Sequence, residues 1–207
     1  MKLFHALLAT TVLLSVQGLS GYRLHAEEAS PDLAGAALTA SMAAKNHVGL
    51  DRLAPSELQL ACSNPKDWPD SNEAAQALQE AAMATVVFPP DDNYLGDWRE
   101  GEKIAQNGRG MQYSDDPKAP NGGNCYACHQ LNPDEIAAGN IGPSLTAYGQ
   151  RGQSQQVLKY TWVKIWNPHA YLVCSHMPRF GDAGILTIDQ IRHIMALLLD
   201  PQSPVNR

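Results

Sequence analysis

The feature that most constrains this chain is a five-residue motif, Cys125-Tyr126-Ala127-Cys128-His129. Its two thiols are spaced so that one helical turn can present both to the two vinyl groups of a single haem. The histidine that follows then lies beneath the iron. This spacing is typical of c-type haem attachment. We therefore predict one covalent haem c, attached through Cys125 and Cys128, with His129 as proximal iron ligand.

Two other interpretations of the cysteine pair were considered. Thioredoxin-like redox proteins also contain C-x-x-C, but in a β-α-β context that this sequence lacks. A zinc site would need a second pair of ligands, which Cys62 and Cys174 would have to supply. Those two cysteines are far apart in the sequence and form no second C-x-x-C. Haem attachment is therefore the favoured interpretation.

The sixth iron ligand is predicted to be Met177. It precedes a proline in a loop between two predicted helices, where its sulfur can be held rigidly over the iron. Ligation by histidine and methionine raises the reduction potential and suits electron transfer. The alternatives are a methionine that only fills the core, or His176 as the ligand, although adjacent side chains normally point in different directions. Met111 and Met195 are weaker candidates.

The segment IGPSL (141–145) follows the haem motif. Such a loop can place a backbone carbonyl against the second ring nitrogen of His129, which would orient the ring and strengthen it as a ligand. An ordinary tight turn is an equal alternative. Arg179 either pairs with a haem propionate or is a surface residue. No catalytic constellation is predicted.

Residues 1–26 are predicted to be a secretory signal peptide. Lys2 gives a positive start, 6–16 are uncharged and mostly apolar, and Ala26 is a small residue at the proposed cleavage site. The alternative is an uncleaved anchor, but the apolar stretch is short against the roughly 20 residues that a membrane helix needs. The first cysteine is Cys62, so none lies where lipoprotein cleavage would require one.

The net charge of the chain is −6 at pH 7, with a sequence pI near 5.6. Non-specific nucleic-acid binding requires a basic surface, so the sequence predicts no nucleic-acid partner. No membrane partner is predicted either.

The periodicity of the chain indicates a mostly α fold. Residues 27–95 form an alanine-rich N-terminal extension with helical pattern, and 97–108 and 153–167 each predict a helix. Thr187 and Gln190 form a capping box at the start of the last helix. No convincing alternating strand is present.

Cys62 and Cys174 remain after the haem motif has taken the other pair. In an exported protein, two such cysteines most simply form a disulfide. This bond would close a long loop and stabilise the fold by about 4 kcal/mol in the chain-entropy model. A free reactive thiol is the alternative.

Four segments in order resemble the SoxX family, the small mono-haem subunits of the bacterial SoxAX cytochrome complex of sulfur oxidation. They are GNCYACH (123–129), GNIGPSL (139–145), MPRFG (177–181) and ILT (185–187). The likeness covers about 97–206.

This resemblance implies a class I cytochrome c-like haem domain over 96–207, behind the helical extension. It implies that Cys125 and Cys128 attach the haem, that His129 and Met177 ligate the iron, and that the carbonyl of Pro143 orients the proximal histidine. The role of the extension is not implied, because short members of the family lack much of it.

The resemblance also implies a function. The protein would be the electron-transfer subunit of a periplasmic heterodimer with a SoxA-like cytochrome, which joins thiosulfate to a cysteine of the carrier SoxYZ. It would pass electrons to a soluble cytochrome c and would not be catalytic alone. The alternatives are a free-standing periplasmic electron carrier, or a haem enzyme or gas sensor with an open iron site.

Overall fold

The computed structural model describes residues 31–63 and 72–207. Within these ranges the secondary structure is helical, and the only strand-like pairing there is an isolated bridge between Lys45 and Val48. The prediction of a mostly α chain is confirmed. The predicted signal peptide, 1–26, lies outside the described residues.

The helices follow the predicted order along the chain. Thr187 and Gln190 form the predicted capping box: the Gln190 N–H donates to Thr187 Oγ1 at 3.2 Å, and the Thr187 N–H donates to Gln190 Oε1 at 3.0 Å. No helix of the described ranges is long and apolar enough to cross a bilayer. The α-helices are α1 (Pro31–Ser41), α2 (Glu57–Ser63), α3 (Asn72–Ala84), α4 (Trp98–Gln106), α5 (Gln155–Trp166) and α6 (Ile188–Leu199).

Helices α4 and α6 cross at close range because a glycine lies at the contact. A Cβ on Gly101 would lie 2.1 Å from the carbonyl oxygen of His193 and 3.0 Å from the Cβ of Leu197. The Gly96 N–H donates to the Arg192 carbonyl at 2.9 Å, just before α4 begins. Ala105, one turn beyond Gly101, is fully buried. The pair therefore forms one wall of the core.

The core is centred on Trp162 of α5. Its side chain is 0% exposed, and its ring meets that of Tyr94 edge to face with centroids 5.6 Å apart. Trp166 stacks on Trp162 at 6.0 Å. Other buried members come mainly from α6: Ile191, Ile194, Met195, Leu197, Leu198 and Leu199.

The end of the predicted extension is bound to α5 by side-chain donors. The indole N–H of Trp162 donates to the Val87 carbonyl, and that of Trp166 donates to the Thr85 carbonyl, both at 2.9 Å. Tyr94 itself lies in the core. Residues 85–95 are therefore part of the same packed unit as the residues that follow. In contrast, residues 33–41 of α1 are all exposed.

Candidate functional site

The cysteine motif folds as a tight turn. A 3-10 helix spans Cys125–Ala127, and Asn124 before it has a left-handed backbone, with φ 46°. The Cys128 N–H donates to the Cys125 carbonyl at 3.2 Å, and the His129 N–H donates to the same oxygen at 2.9 Å. Both thiols are free. Cys125, Cys128 and His129 are thus held within one short turn.

This turn is bound on two sides by backbone hydrogen bonds. The Gly123 N–H donates to the carbonyl of Ile104 in α4 at 2.9 Å. From the other side, the Gly139 N–H donates to the carbonyl oxygen of Tyr126, and the Gly142 N–H donates to the carbonyl oxygen of Cys128, both at 2.8 Å. The motif therefore lies between the end of α4 and the loop 139–145.

The orientation of the His129 ring follows from this loop. Its Nδ1 lies 2.7 Å from the carbonyl oxygen of Pro143. A carbonyl can only accept, so Nδ1 carries the proton, and in the neutral ring Nε2 then keeps its lone pair. A Cβ on Gly142 would lie 2.2 Å from Cε1 of the same ring, so only glycine leaves room for it. The hydrogen bond thus fixes Nδ1 of the imidazole, and the lone pair of Nε2 is available to bind a ligand.

The Cys125 thiol does not resemble a redox-active cysteine. Desolvation by burial raises its pKa from 9.0 to about 12. Reactive cysteines of redox pairs have lowered pKa values, because the thiolate is the nucleophile. The described residues also form no β-α-β unit, so the thioredoxin-like alternative is not supported.

The four cysteines do not assemble into a zinc site either. Cys62 and Cys174 form a disulfide with their Cα atoms 5.5 Å apart and a sequence separation of 112. In the described ranges no group of three or more His, Cys, Asp or Glu side chains could hold a metal ion. A haem would need no such cluster, because one histidine and one methionine are enough to bind its iron.

The two candidate axial residues on the later loop differ in their surroundings. Met177 is half-buried and packs against the hydrophobic core, whereas His176 is exposed. The Met177 N–H donates to Ser175 Oγ at 3.2 Å. Met195 is a fully buried core residue of α6, as its position on the apolar face predicted.

The disulfide and Met177 share one cleft. Its volume is about 420 Å³, and its lining includes Cys62, Cys174, His169, His176 and Met177. Arg179 nearby makes an ion pair with Asp182 at 2.9 Å. The Arg179 guanidinium thus binds a carboxylate of the protein itself, and this contact does not support the prediction that it pairs with a haem propionate.

Sequence reasoning missed the role of Gly142, which is to make space for the imidazole. The sequence does show a glycine directly before Pro143, in the loop that was predicted to orient His129. It also missed the left-handed Asn124 that starts the turn, a conformation that asparagine tolerates better than most residues.

Comparison with known proteins places the chain in a family. No protein-family model matches it. It is 44% identical over 151 residues to an uncharacterized lipoprotein of Aquifex aeolicus (strain VF5), and the match covers 72% of this chain and 71% of that protein. The chain belongs to the family of this lipoprotein.

This relationship corrects the resemblance drawn from short motifs. The SoxX interpretation predicted a relationship to sulfur-oxidation cytochromes, but the relative's name mentions neither a cytochrome nor sulfur oxidation. The SoxX assignment is therefore wrong. The resemblance to SoxX rested on four short segments, whereas the identity to the lipoprotein of Aquifex aeolicus extends over 151 residues.

Proposed function

We propose that this protein is an exported electron-transfer protein with one covalently attached haem c. The observation that carries the proposal is the arrangement at His129. Its Nδ1 donates to Pro143 at 2.7 Å, and the two free thiols of Cys125 and Cys128 lie within the same short turn. This donor set fits a haem c better than a dithiol or a zinc ion.

Each residue of the site has a distinct role in this proposal. Cys125 and Cys128 would hold the porphyrin through thioether bonds, and His129 would bind the iron through Nε2. The Pro143 carbonyl keeps the ring oriented and increases its donor strength. Met177 would supply a thioether sulfur to the iron, which would raise the reduction potential. When bound, the haem supplies one-electron exchange between ferric and ferrous iron.

The proposed fold of residues 96–207 is class I cytochrome c-like. Three features support it: α4 and α6 cross closely at Gly101, the cysteine turn is bonded to the end of α4 through Gly123, and the methionine loop lies between α5 and α6. The first and last helices of this part thus form a wall beside the haem motif.

Export is proposed from two independent features. The relative is called a lipoprotein, a class of proteins that leaves the cytoplasm, and residues 1–26 have the pattern of a signal peptide. The Cys62–Cys174 disulfide is stable in such an oxidising compartment. In a two-membrane cell the compartment would be the periplasm.

We propose that the protein works as a subunit of a larger redox complex, with a free-standing carrier as the alternative. The helical arm before residue 85 favours the complex, because its first helix is exposed along 33–41. A SoxA-like partner, SoxYZ and thiosulfate were implied by the SoxX resemblance alone. They stay untested predictions and form no part of this proposal.

Redox titration of the exported holoprotein tests the proposal. We expect a reversible one-electron transition, a ferric spectrum with the weak red band of methionine-bound haem, and no binding of added ligands to the ferric iron. A stable open coordination site that binds cyanide or azide immediately would contradict electron transfer and favour a haem enzyme or sensor. Size-exclusion chromatography of native extract separates the complex from a monomeric carrier.

A further inference from the structure

We infer that the N-terminal arm, defined here as helices α2 and α3, positions Met177. The disulfide from Cys62 of α2 to Cys174 and the hydrogen bond from Gln79 of α3 to Tyr171 restrain the loop that carries the methionine sulfur. This inference rests on the proposed function, and it assigns a task to a segment that the haem site alone does not require.

The first restraint is covalent. Cys62 belongs to α2 (Glu57–Ser63), and its partner Cys174 lies in the same loop as Met177, three residues before it. The bond spans a sequence separation of 112. The two cysteines and Met177 line the same cleft. Displacement of the methionine away from the core therefore has to work against a crosslink to a helix.

The second restraint is made by α3. The Gln79 side-chain amide donates to the Tyr171 carbonyl at 3.2 Å, at the beginning of the loop. Ala82, one turn further along α3, is buried against Val163 and Ala170. The arm thus contacts the loop in two places, once through each of two helices.

The far end of the loop is fixed by the core itself. The Gly181 and Asp182 N–H groups donate to the Trp166 carbonyl at 3.1 and 3.2 Å. A Cβ on Gly181 would lie 2.2 Å from the Trp166 ring, so the loop lies directly on the indole. Met177 therefore lies in a short segment that is attached at both ends. Cys174 before it is bonded to the arm, and Gly181 after it is bonded to the core.

This arrangement matters because an axial thioether is lost when its loop opens, and local opening depends on how few contacts hold a segment. A crosslink close to the methionine reduces the number of open conformations. The arm should thereby increase the fraction of molecules with sulfur bound and raise the reduction potential.

The experiment compares three mature holoproteins: the wild type, the double variant Cys62→Ser/Cys174→Ser, and the control Ser154→Ala. Both cysteines are replaced so that no new free thiol can bind iron. Ser154 caps α5 by accepting from the Val157 N–H, so the control weakens the fold without touching the loop. The readouts are the red absorption band of the ferric form, the midpoint potential and the haem content per chain.

We expect the double variant to keep its haem but to lose the red band at least severalfold, with a lower midpoint potential, while Ser154→Ala keeps both at wild-type values. A second preparation avoids dependence on folding of the variant. Wild-type holoprotein is treated with TCEP, alkylated with iodoacetamide and reoxidised with ferricyanide, and should show the same losses. An unchanged band and potential after verified cleavage of the disulfide would overturn the inference. A wild type without haem or without the red band would instead refute the proposed function.

Discussion

The Nδ1 atom of His129 lies 2.7 Å from the carbonyl oxygen of Pro143, and Gly142 between them in the chain leaves room for the ring. One backbone carbonyl therefore determines the tautomer of the imidazole and its orientation. The lone pair of Nε2 is left for a ligand bond, as the neutral ring of a metal ligand requires.

Replacement of Gly142 by alanine should disturb this arrangement directly. The added Cβ would lie 2.2 Å from Cε1 of His129, so the ring or the loop has to move. We expect a loss of about 1–3 kcal/mol in the free energy of unfolding and a lower midpoint potential. Thermal unfolding and redox titration measure the two effects.

The matched control is Gly35→Ala in α1, where nothing lies within 4 Å of the new Cβ. This change should stabilise the protein by about 0.5–1 kcal/mol, because alanine favours a helix interior. Equal effects of the two substitutions would show that Gly142 has no special steric role.

The crossing of α4 and α6 should be equally intolerant of a side chain. A Cβ at Gly101 would meet the carbonyl oxygen of His193 at 2.1 Å, and a backbone atom cannot swing aside. Gly101→Ala is expected to destabilise the protein by about 1–3 kcal/mol or more. Denaturant unfolding followed by circular dichroism measures this loss, and a stability equal to that of the wild type would contradict the close crossing.

Met177→Ala should remove the second axial ligand without removing the haem. We expect the red band to vanish, the midpoint potential to fall, and the ferric iron to bind imidazole. His176→Ala is the control, because this neighbouring side chain is exposed. If His176→Ala rather than Met177→Ala changed the spectrum, the assignment of the axial ligand would be wrong.

The haem-free polypeptide should show a pH dependence that comes from Cys125. Burial raises the pKa of this thiol from 9.0 to about 12. Above pH 9 the unfolded state releases the thiol proton, whereas the folded state still holds it. The contribution of the neutral thiol to the free energy of unfolding is therefore complete below pH 9 and is lost as the pH rises towards 12. Denaturant midpoints of the haem-free protein across this window should fall more steeply than those of Cys125→Ala.

The sequence patterns predicted the helices well where local chemistry decides. Thr187 and Gln190 mark the start of α6 because their side chains bond the first free N–H groups. The packing of residues 85–95 was not predictable in the same way. It depends on the Trp162 and Trp166 indoles donating to the Val87 and Thr85 carbonyls, and a carbonyl acceptor leaves no trace in a sequence.

The candidate site shows the same division. The cysteine spacing predicts the haem chemistry, because the chemistry needs those residues at that spacing. The space for the imidazole depends on how two loop residues approach a ring, and only the structure displays it. The family was predicted wrongly because the prediction rested on four short segments, whereas the identity that relates the chain to the lipoprotein extends over 151 residues.

We propose above that the chain carries a haem bound covalently through Cys125 and Cys128. The most direct measurement is the intact mass of the exported mature protein after denaturation and acid-acetone extraction, compared with the variant Cys125→Ala/Cys128→Ala. We expect a coloured polypeptide heavier by one haem for the wild type and a bare polypeptide for the variant. A colourless wild type at the mass of the bare chain, expressed with a working haem c maturation system, would contradict it.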